Sequence, residues 1–265
     1  MRAFIQSNKE GLPYNPNAYA AYDGFKEMGF ETVLFVMPGE IPEGDPEDIV
    51  VGGIGTVRKA LLRFGVDPPE FNYPDSIRQY LKRDVWESTI DAVRLNALSW
   101  PVFVKPFQAK LFTGKVIREY RDLTGLVSVI DDKRVFCSEV IGFESEYRAF
   151  VRYGEVLDIR HYKGDWKIYP DPEVILSCVN DYVDAPAAYA ADFGVTDKGE
   201  TVLVEVNDGY SVGAYGLGPV MYAQFLSAYW AELTNTEDCC DFYQIGKYWK
   251  QERDRAVLNR RPKSQ

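Results

Sequence analysis

The first seventy-five residues alternate short apolar runs with segments of helical periodicity. The apolar runs predict strands at 3–6, 32–36 and 49–51, and the periodic segments predict helices at 17–28 and 54–64. Alternation of this kind is typical of a small open α/β unit. The unit is predicted to end near residue 75, because proline stops helices and stiffens connections. The prolines concerned are Pro68, Pro69 and Pro74.

Two apolar runs at 187–195 and 201–207 predict a β-hairpin, because the turn signal Asp197-Lys198-Gly199 lies between them. Antiparallel pairing about that turn sets Asp192 opposite Glu205. Side chains alternate across a strand, so Asp192, Glu205 and Asn207 are predicted to share one face. The other face is predicted to be apolar and to hold Ala191, Phe193, Val195, Val202, Val204 and Val206.

The polar face of this hairpin is a candidate metal site. Directly opposed carboxylates destabilise a sheet, so we expect a cation close to Asp192 and Glu205. Together with Asn207 they form a hard-oxygen set, which suits magnesium because that ion takes few carboxylate ligands alongside substrate phosphates. The alternative is a solvated polar face of an edge hairpin.

The composition is that of a globular protein, with 46% hydrophobic and 26% charged residues. The net charge of -10 argues against a broad nucleic-acid surface, since such binding depends on Lys and Arg. No apolar run reaches about 18 residues, and the N-terminus lacks a secretory signal, so we expect a cytoplasmic protein with no membrane partner. The four cysteines lack C-x-x-C spacing and are predicted to be reduced thiols. The single histidine, His161, is predicted to be structural.

A glycine-rich stretch at 50–61, VVGGIGTVRKAL, lies between a predicted strand and a predicted helix. Glycines in that place are found in phosphate-binding loops. The stretch has neither the full G-x-G-x-x-G spacing nor a Walker lysine followed by Ser or Thr. We therefore interpret it as a structural turn, with phosphate binding as the alternative.

Four features follow one another along the chain: FVKP at 103–106, two glutamates seven positions apart at Glu139 and Glu146, Asp192 with VEVN at 204–207, and the Gly/Ser-rich loop that follows. In this order they resemble the ATP-grasp superfamily, whose members mostly join a carboxylate to an amine or thiol at the expense of ATP.

The resemblance implies roles for residues that bind the nucleotide. Lys105 is expected to contact the phosphates, and Lys110 lies in the segment 108–115 that replaces the family's loop over the triphosphate. Glu139 precedes Val140 and Ile141, whose backbone groups are expected to meet adenine, and Glu146 is expected to take the ribose hydroxyls. The metal ligands would be Asp192, Glu205 and Asn207.

Two arginines and one loop complete the predicted site. Arg148 and Arg160 are candidates for neutralising the transferring phosphoryl group, although a one-residue slip of their hairpin would turn one of them away. Surface ion pairs are the alternative for both. The loop at 208–218 follows the metal hairpin, and its Ser211 and Tyr215 are expected to orient the acceptor substrate.

The predicted fold class is therefore α/β and α+β: a small N-terminal α/β domain followed by an ATP-grasp fold of two lobes, with antiparallel sheets enclosing ATP. The domains are predicted at 1–75 and 76–235, followed by a C-terminal polar helix and tail at 236–265.

The predicted activity is that of an ATP- and Mg²⁺-dependent ligase that joins a carboxylate to an amine through an acyl phosphate, with small-molecule or peptide substrates as partners. The alternatives are an ATP-dependent kinase or nucleic-acid end-modifying enzyme on the same scaffold, and a non-catalytic nucleotide-binding module.

Overall fold

The computed structural model describes residues 1–42, 44–69, 73–108, 111–126 and 131–242. Contacts within the chain divide it into two compact units. The first consists of Met1–Asp67 and the residues from Gly209 onward, and the second of Pro68–Asp208. The three-domain division made from the sequence stays a prediction.

Eleven strands and five α-helices are present in the described part of the chain. The strands are β1 (Arg2–Gln6), β2 (Glu31–Phe35), β3 (Ile49–Val51), β4 (Val85–Thr89), β5 (Val102–Pro106), β6 (Lys115–Ile117), β7 (Arg134–Ser138), β8 (Ser145–Arg152), β9 (Glu155–Gly164), β10 (Ala188–Val195) and β11 (Thr201–Asp208). The helices are α1 (Pro16–Glu27), α2 (Ile54–Leu62), α3 (Ile90–Leu95), α4 (Pro172–Asp181) and α5 (Pro219–Thr234). Short 3₁₀ helices lie at Pro38–Glu40, Asp75–Leu81, Ala97–Ser99 and Tyr120–Leu123.

The first unit is the small α/β unit that the alternation of its elements predicts. Its three parallel strands have the order β2-β1-β3. Helix α1 begins where the Asn15 side chain accepts a hydrogen bond from the Ala18 amide at 2.8 Å, with Pro16 in its first turn. A Cβ on Gly24 would lie 2.0 Å from the Pro219 carbonyl oxygen, so only glycine permits this approach of α1 to α5.

The second unit contains two four-stranded antiparallel sheets, with the orders β4-β7-β5-β6 and β11-β10-β8-β9. One face of the β11-β10-β8-β9 sheet packs against α4 in a core that includes Ala149, Phe193, Ile175 and Cys178. A separate core lies beside β5, around Val104 and Val135. This mixed architecture with two antiparallel sheets confirms the predicted fold class.

The predicted hairpin forms, and Asp192 lies opposite Glu205 as expected. Beyond that pair the register shifts by one, so Leu203 rather than Val204 lies opposite Phe193. Leu203 is 1% exposed and joins the core. The positions predicted on the apolar face for Val202 and Val204 are therefore wrong, because a β-bulge adds one residue to β11 at this point.

Strand β7 ends at Ser138, just before Glu139 and the residues predicted to meet adenine. The Glu139 amide donates instead to the Asp84 carbonyl, at 3.2 Å, just before β4 begins. Among the described residues, no helix is both long enough and apolar enough to cross a membrane.

Candidate active site

A row of four charged residues crosses the β11-β10-β8-β9 sheet. Glu205 pairs with Asp192, Asp192 with Arg148, and Arg148 with Arg160, one residue from each strand. Cross-strand partners lie on the same face of a sheet, so the two acids and the two arginines line one surface. The sequence left the orientation of the two arginines undecided, and the structure places both on the polar face.

Asp192 and Arg148 form a buried bidentate ion pair at the centre of the row. Arg148 Nε and a second guanidinium nitrogen donate to the two Asp192 oxygens at 2.7 and 2.8 Å. The residues are only 2% and 6% exposed, respectively. Burial raises the pKa of Asp192 to about 6, although Arg148 acts in the opposite direction. Arg148 is thus the first of the cations expected beside the opposed carboxylates.

Lys105 supplies the second cation from the other sheet. Its ammonium lies 3.0 Å from Glu205 Oε2, and it also lies 4.4 Å from the centre of the Tyr73 ring. Burial opposes charge on both groups, but their mutual attraction prevails: it raises the pKa of Lys105 and lowers the pKa of Glu205. The ion pair joins β5 of one sheet to β11 of the other.

Asn207 connects the two carboxylates. Its amide nitrogen is 3.3 Å from Asp192 Oδ2 and 3.3 Å from Glu205 Oε1. The structure therefore brings together the three residues predicted to hold magnesium. The described residues contain no group of three or more His, Cys, Asp and Glu side chains placed to hold a metal ion, so Asn207 would have to complete the set. Two carboxylates and an amide oxygen suit Mg²⁺, which keeps water or phosphate in its remaining positions.

Glu146 lies on the same strand as Arg148, two residues earlier, and is buried. Its carboxylate accepts hydrogen bonds from the Tyr162 hydroxyl, at 2.9 Å, and from the Lys163 ammonium. Burial, together with the nearby acids, raises the pKa of Tyr162, so this hydroxyl stays protonated and donates. Arg160, at the edge of the row, forms an ion pair with Asp158 of its own strand.

The residues predicted to meet adenine follow β7 directly. The Glu139 carboxylate accepts a hydrogen bond from the Asp84 amide at 3.1 Å. Val140 is exposed and Ile141 is partly buried. Lys110, predicted to lie over the triphosphate, lies outside the described residues.

Ser211 and Tyr215 belong to the first compact unit. The Ser211 hydroxyl donates to the Gly52 carbonyl at 2.8 Å, at the end of β3. Both residues have positive φ, 54° and 47° respectively, which is uncommon for residues other than glycine and is often found at functional sites. Tyr215 is 46% exposed.

Sequence reasoning missed three residues that contact the predicted site. Tyr162 could have been found, because alternation along β9 places it on the same face as Arg160. Tyr73 and Arg83 carry no such signal. They reach Lys105 and β11 from a segment far away in the chain, and no local pattern encodes that contact.

Residues 80–225 match the family model described as ATP-grasp domain, R2K clade family 2, and the chain belongs to this family. The resemblance drawn from the sequence motifs is therefore confirmed at the level of the superfamily. A comparison with curated proteins found no match.

Several solved structures are similar to this fold at low sequence identity. The D-alanine–D-alanine ligase of Bacillus anthracis complexed with ATP has a TM-score of 0.53 and 16% identity, covering 89% of this chain and 98% of that one. The macrocyclase MdnC of Microcystis aeruginosa MRC, bound with its precursor peptide MdnA, has a TM-score of 0.52 and 14% identity, covering 89% of this chain and 100% of that one. The L-amino acid ligase of Bacillus licheniformis has a TM-score of 0.53 and 12% identity, covering 88% of this chain and 75% of that one. At such identities the similarity concerns the fold.

Proposed function

We propose that this protein is an ATP- and Mg²⁺-dependent ligase that joins a carboxylate to an amine. The observation that carries the proposal is the charged row Glu205, Asp192, Arg148 and Arg160, with Lys105 paired to its acidic end. Membership of an ATP-grasp family supports it, and so does the similarity of the fold to two ligases and a macrocyclase.

Magnesium would be held by Asp192, Glu205 and Asn207, and when bound it would neutralise charge on the phosphate oxygens. The Asn207 amide nitrogen now faces both acids. Rotation of that amide by half a turn exchanges its nitrogen and oxygen, so the same side chain offers an oxygen to a cation.

The cations of the site would bind the triphosphate. Arg148 and Arg160 present positive charge on one face of the β11-β10-β8-β9 sheet, and Lys105 adds a cation from β5 of the other sheet. Phosphoryl transfer depends on such charge being fixed in place beforehand. We propose that the backbone at Val140 and Ile141, with Glu139 beside it, binds adenine. The buried carboxylate of Glu146 would accept the ribose hydroxyls.

The proposed reaction has two steps. An oxygen of the substrate carboxylate attacks the γ-phosphorus, the bond between that phosphorus and the ADP oxygen breaks, and an acyl phosphate forms. The amine then attacks the acyl carbon, phosphate leaves with the bonding electron pair, and the nitrogen loses a proton. The products are an amide, ADP and phosphate.

The acceptor substrates would be small molecules or peptides, and Ser211 and Tyr215 would orient them. A macrocyclase of similar fold bound with its precursor peptide, and two ligases of similar fold, support this proposal. A Tyr215→Ala variant should weaken the use of the acceptor and leave Mg-ATP binding intact. If ATP binding fell and acceptor preference did not change, the loop would belong to the nucleotide site.

The experiment that tests the proposal has two stages. Mg-ATP should raise the melting temperature, since a ligand at a hundredfold excess over its dissociation constant stabilises the native state by about 2.7 kcal/mol. Pools of carboxylates, amines and peptides are then screened for ADP release that depends on an acceptor. The absence of a melting shift at millimolar Mg-ATP would contradict the nucleotide assignment. A phosphorylated product without an amide would indicate a kinase, and binding without turnover would indicate a nucleotide-binding module.

A further inference from the structure

The bulge in β11 lies immediately before Glu205, the carboxylate proposed to bind magnesium. Asp192 pairs with Glu205, while the next residue of β10, Phe193, pairs with Leu203, so Val204 is the added residue. A bulge interrupts the regular ladder and bends its strand, and bulges often redirect a side chain next to an active site. Another contact therefore has to fix the orientation of the peptide groups on both sides of Val204.

Arg83 contacts both of those peptide groups. One nitrogen of its guanidinium donates to the Leu203 carbonyl at 2.9 Å, and the other donates to the Val204 carbonyl at 2.8 Å. The first nitrogen also donates to the Leu81 carbonyl at 3.0 Å, which fixes the arginine to its own segment. Such a planar fork restrains two acceptors at once, which an ammonium cannot do.

The contact with Val204 bears directly on Glu205, because the Val204 carbonyl carbon is bonded to the Glu205 nitrogen. The orientation of that peptide sets the direction in which the Glu205 side chain leaves the strand. Glu205 must reach the Lys105 ammonium at 3.0 Å and the Asn207 amide at 3.3 Å. A small rotation of the peptide would move the carboxylate away from both partners.

The position of Arg83 in the fold also suits its contact with β11. It lies between the 3₁₀ helix Asp75–Leu81 and strand β4, which belongs to the sheet that supplies Lys105. The side chain is partly buried, and burial lowers the pKa of its guanidinium while Tyr73 and Glu205 raise it. Arginine nevertheless remains charged at neutral pH, so its hydrogen bonds to the carbonyls are charge-assisted.

We propose that Arg83 is a positioning residue for magnesium: by holding the bulge at Val204 it aims the Glu205 carboxylate into the metal site. The inference rests on the proposed function, in that Glu205 is taken as a metal ligand. In this role Arg83 acts through its hydrogen bonds to the β11 backbone.

The test measures how the affinity for ADP depends on Mg²⁺, by calorimetry with and without a chelator. Arg83→Gln should raise the Mg²⁺ concentration at the midpoint by about 10- to 100-fold, the usual effect of losing a residue that orients a metal ligand. The affinity for ADP in the chelator should stay within about twofold, because the nucleotide contacts themselves do not change. The protein without substitutions tests the proposed function separately. If it does not bind ADP, the proposed nucleotide site is wrong.

Lys82→Gln is the matched control. Lys82 precedes Arg83, carries the same charge, and lies 3.9 Å from Glu200 near the turn of the same hairpin, with both side chains substantially exposed. Its loss should leave the Mg²⁺ midpoint unchanged. An equal shift in both variants would mean that general charge near the hairpin is responsible, and that result overturns the proposal.

Two further variants separate positioning from stability. In a Glu205→Gln background, Arg83→Gln should have no additional effect on the Mg²⁺ midpoint, since the carboxylate it positions is gone; independent, additive effects would contradict the proposal. If Arg83→Gln does not fold, Arg83→Lys takes its place, because it keeps the charge and loses the fork. An unchanged midpoint in Arg83→Lys overturns the proposal.

Discussion

Two of the places where the sequence suggests a ligand site have different surroundings in the structure. At the glycine-rich stretch between β3 and α2, the Gly53 amide donates to the Gln6 side chain at 2.9 Å. A Cβ on Gly52 would lie 2.7 Å from the same Gln6 oxygen. At the hairpin of β10 and β11, the polar side chains instead form ion pairs across the sheet and to Lys105.

The difference shows that glycine by itself does not indicate a phosphate site. The missing side chain allows something to approach the backbone closely, and here that is the protein's own Gln6. The hairpin has charged groups of both signs on one face, which is the condition for holding a metal and a triphosphate together. This agrees with the interpretation of the glycine-rich stretch as a structural turn, which stays a prediction until binding is measured.

The largest effect that we predict concerns the buried ion pair between Asp192 of the hairpin and Arg148 of β8. Arg148→Met leaves the buried Asp192 without its bidentate partner, and breaking such a pair destabilises a protein by about 3–5 kcal/mol. Denaturant unfolding measures this loss. Arg160→Met is the control from the same row; its ion pair with Asp158 is partly exposed, so its removal should change the free energy of unfolding by at most about 1 kcal/mol. Equal losses of unfolding free energy in the two variants would show that burial does not determine how much an ion pair contributes to stability.

The second prediction distinguishes the hairpin from the glycine-rich stretch by the effect of a substitution on ATP turnover. Glu205→Gln keeps the shape of the side chain but removes the charge of a proposed magnesium ligand, and we expect ATP turnover to fall by about 10²- to 10³-fold. Nucleotide affinity in the presence of a chelator should change little. Gln6→Ala, at the glycine-rich stretch, should leave turnover at the parent rate. Should turnover fall as far in Gln6→Ala as in Glu205→Gln, the stretch would be part of the phosphate site and the comparison would fail.

The smallest effect concerns the glycines themselves. Gly52→Ala brings a Cβ to within 2.7 Å of Gln6 and 3.0 Å of Thr56, and we expect it to destabilise the protein by about 1 kcal/mol without weakening Mg-ATP binding. Gly55→Ala, three residues further in α2, has no neighbour within 4 Å and should stabilise the protein by up to about 1 kcal/mol. Thermal unfolding gives both values. Opposite signs support a packing role for Gly52, whereas lost binding of Mg-ATP in Gly52→Ala would point to phosphate contact.

The sequence by itself determined the hairpin and the opposition of Asp192 to Glu205. Alternation and turn chemistry are local properties, and two strands joined by a short turn pair with each other in a register that the turn sets. The same local reasoning gave the parallel α/β unit. The family motifs added the order in which Lys105, Glu146 and the hairpin occur.

Only the tertiary structure decided how those elements meet. The pairing of Asp192 with Arg148 and the reach of Lys105 to Glu205 join strands that are far apart in the chain. The bulge at Val204 lies within a hairpin, but the turn of that hairpin does not predict it. No local pattern fixes such contacts, because a one-residue shift in register leaves the hydrophobic alternation of each strand unchanged while turning its side chains to the other face. Arg83 is the clearest case. The residues around it in the sequence do not predict a contact with β11. The packing of the two sheets places its guanidinium against the Leu203 and Val204 carbonyls, and the proposed positioning role rests on that contact.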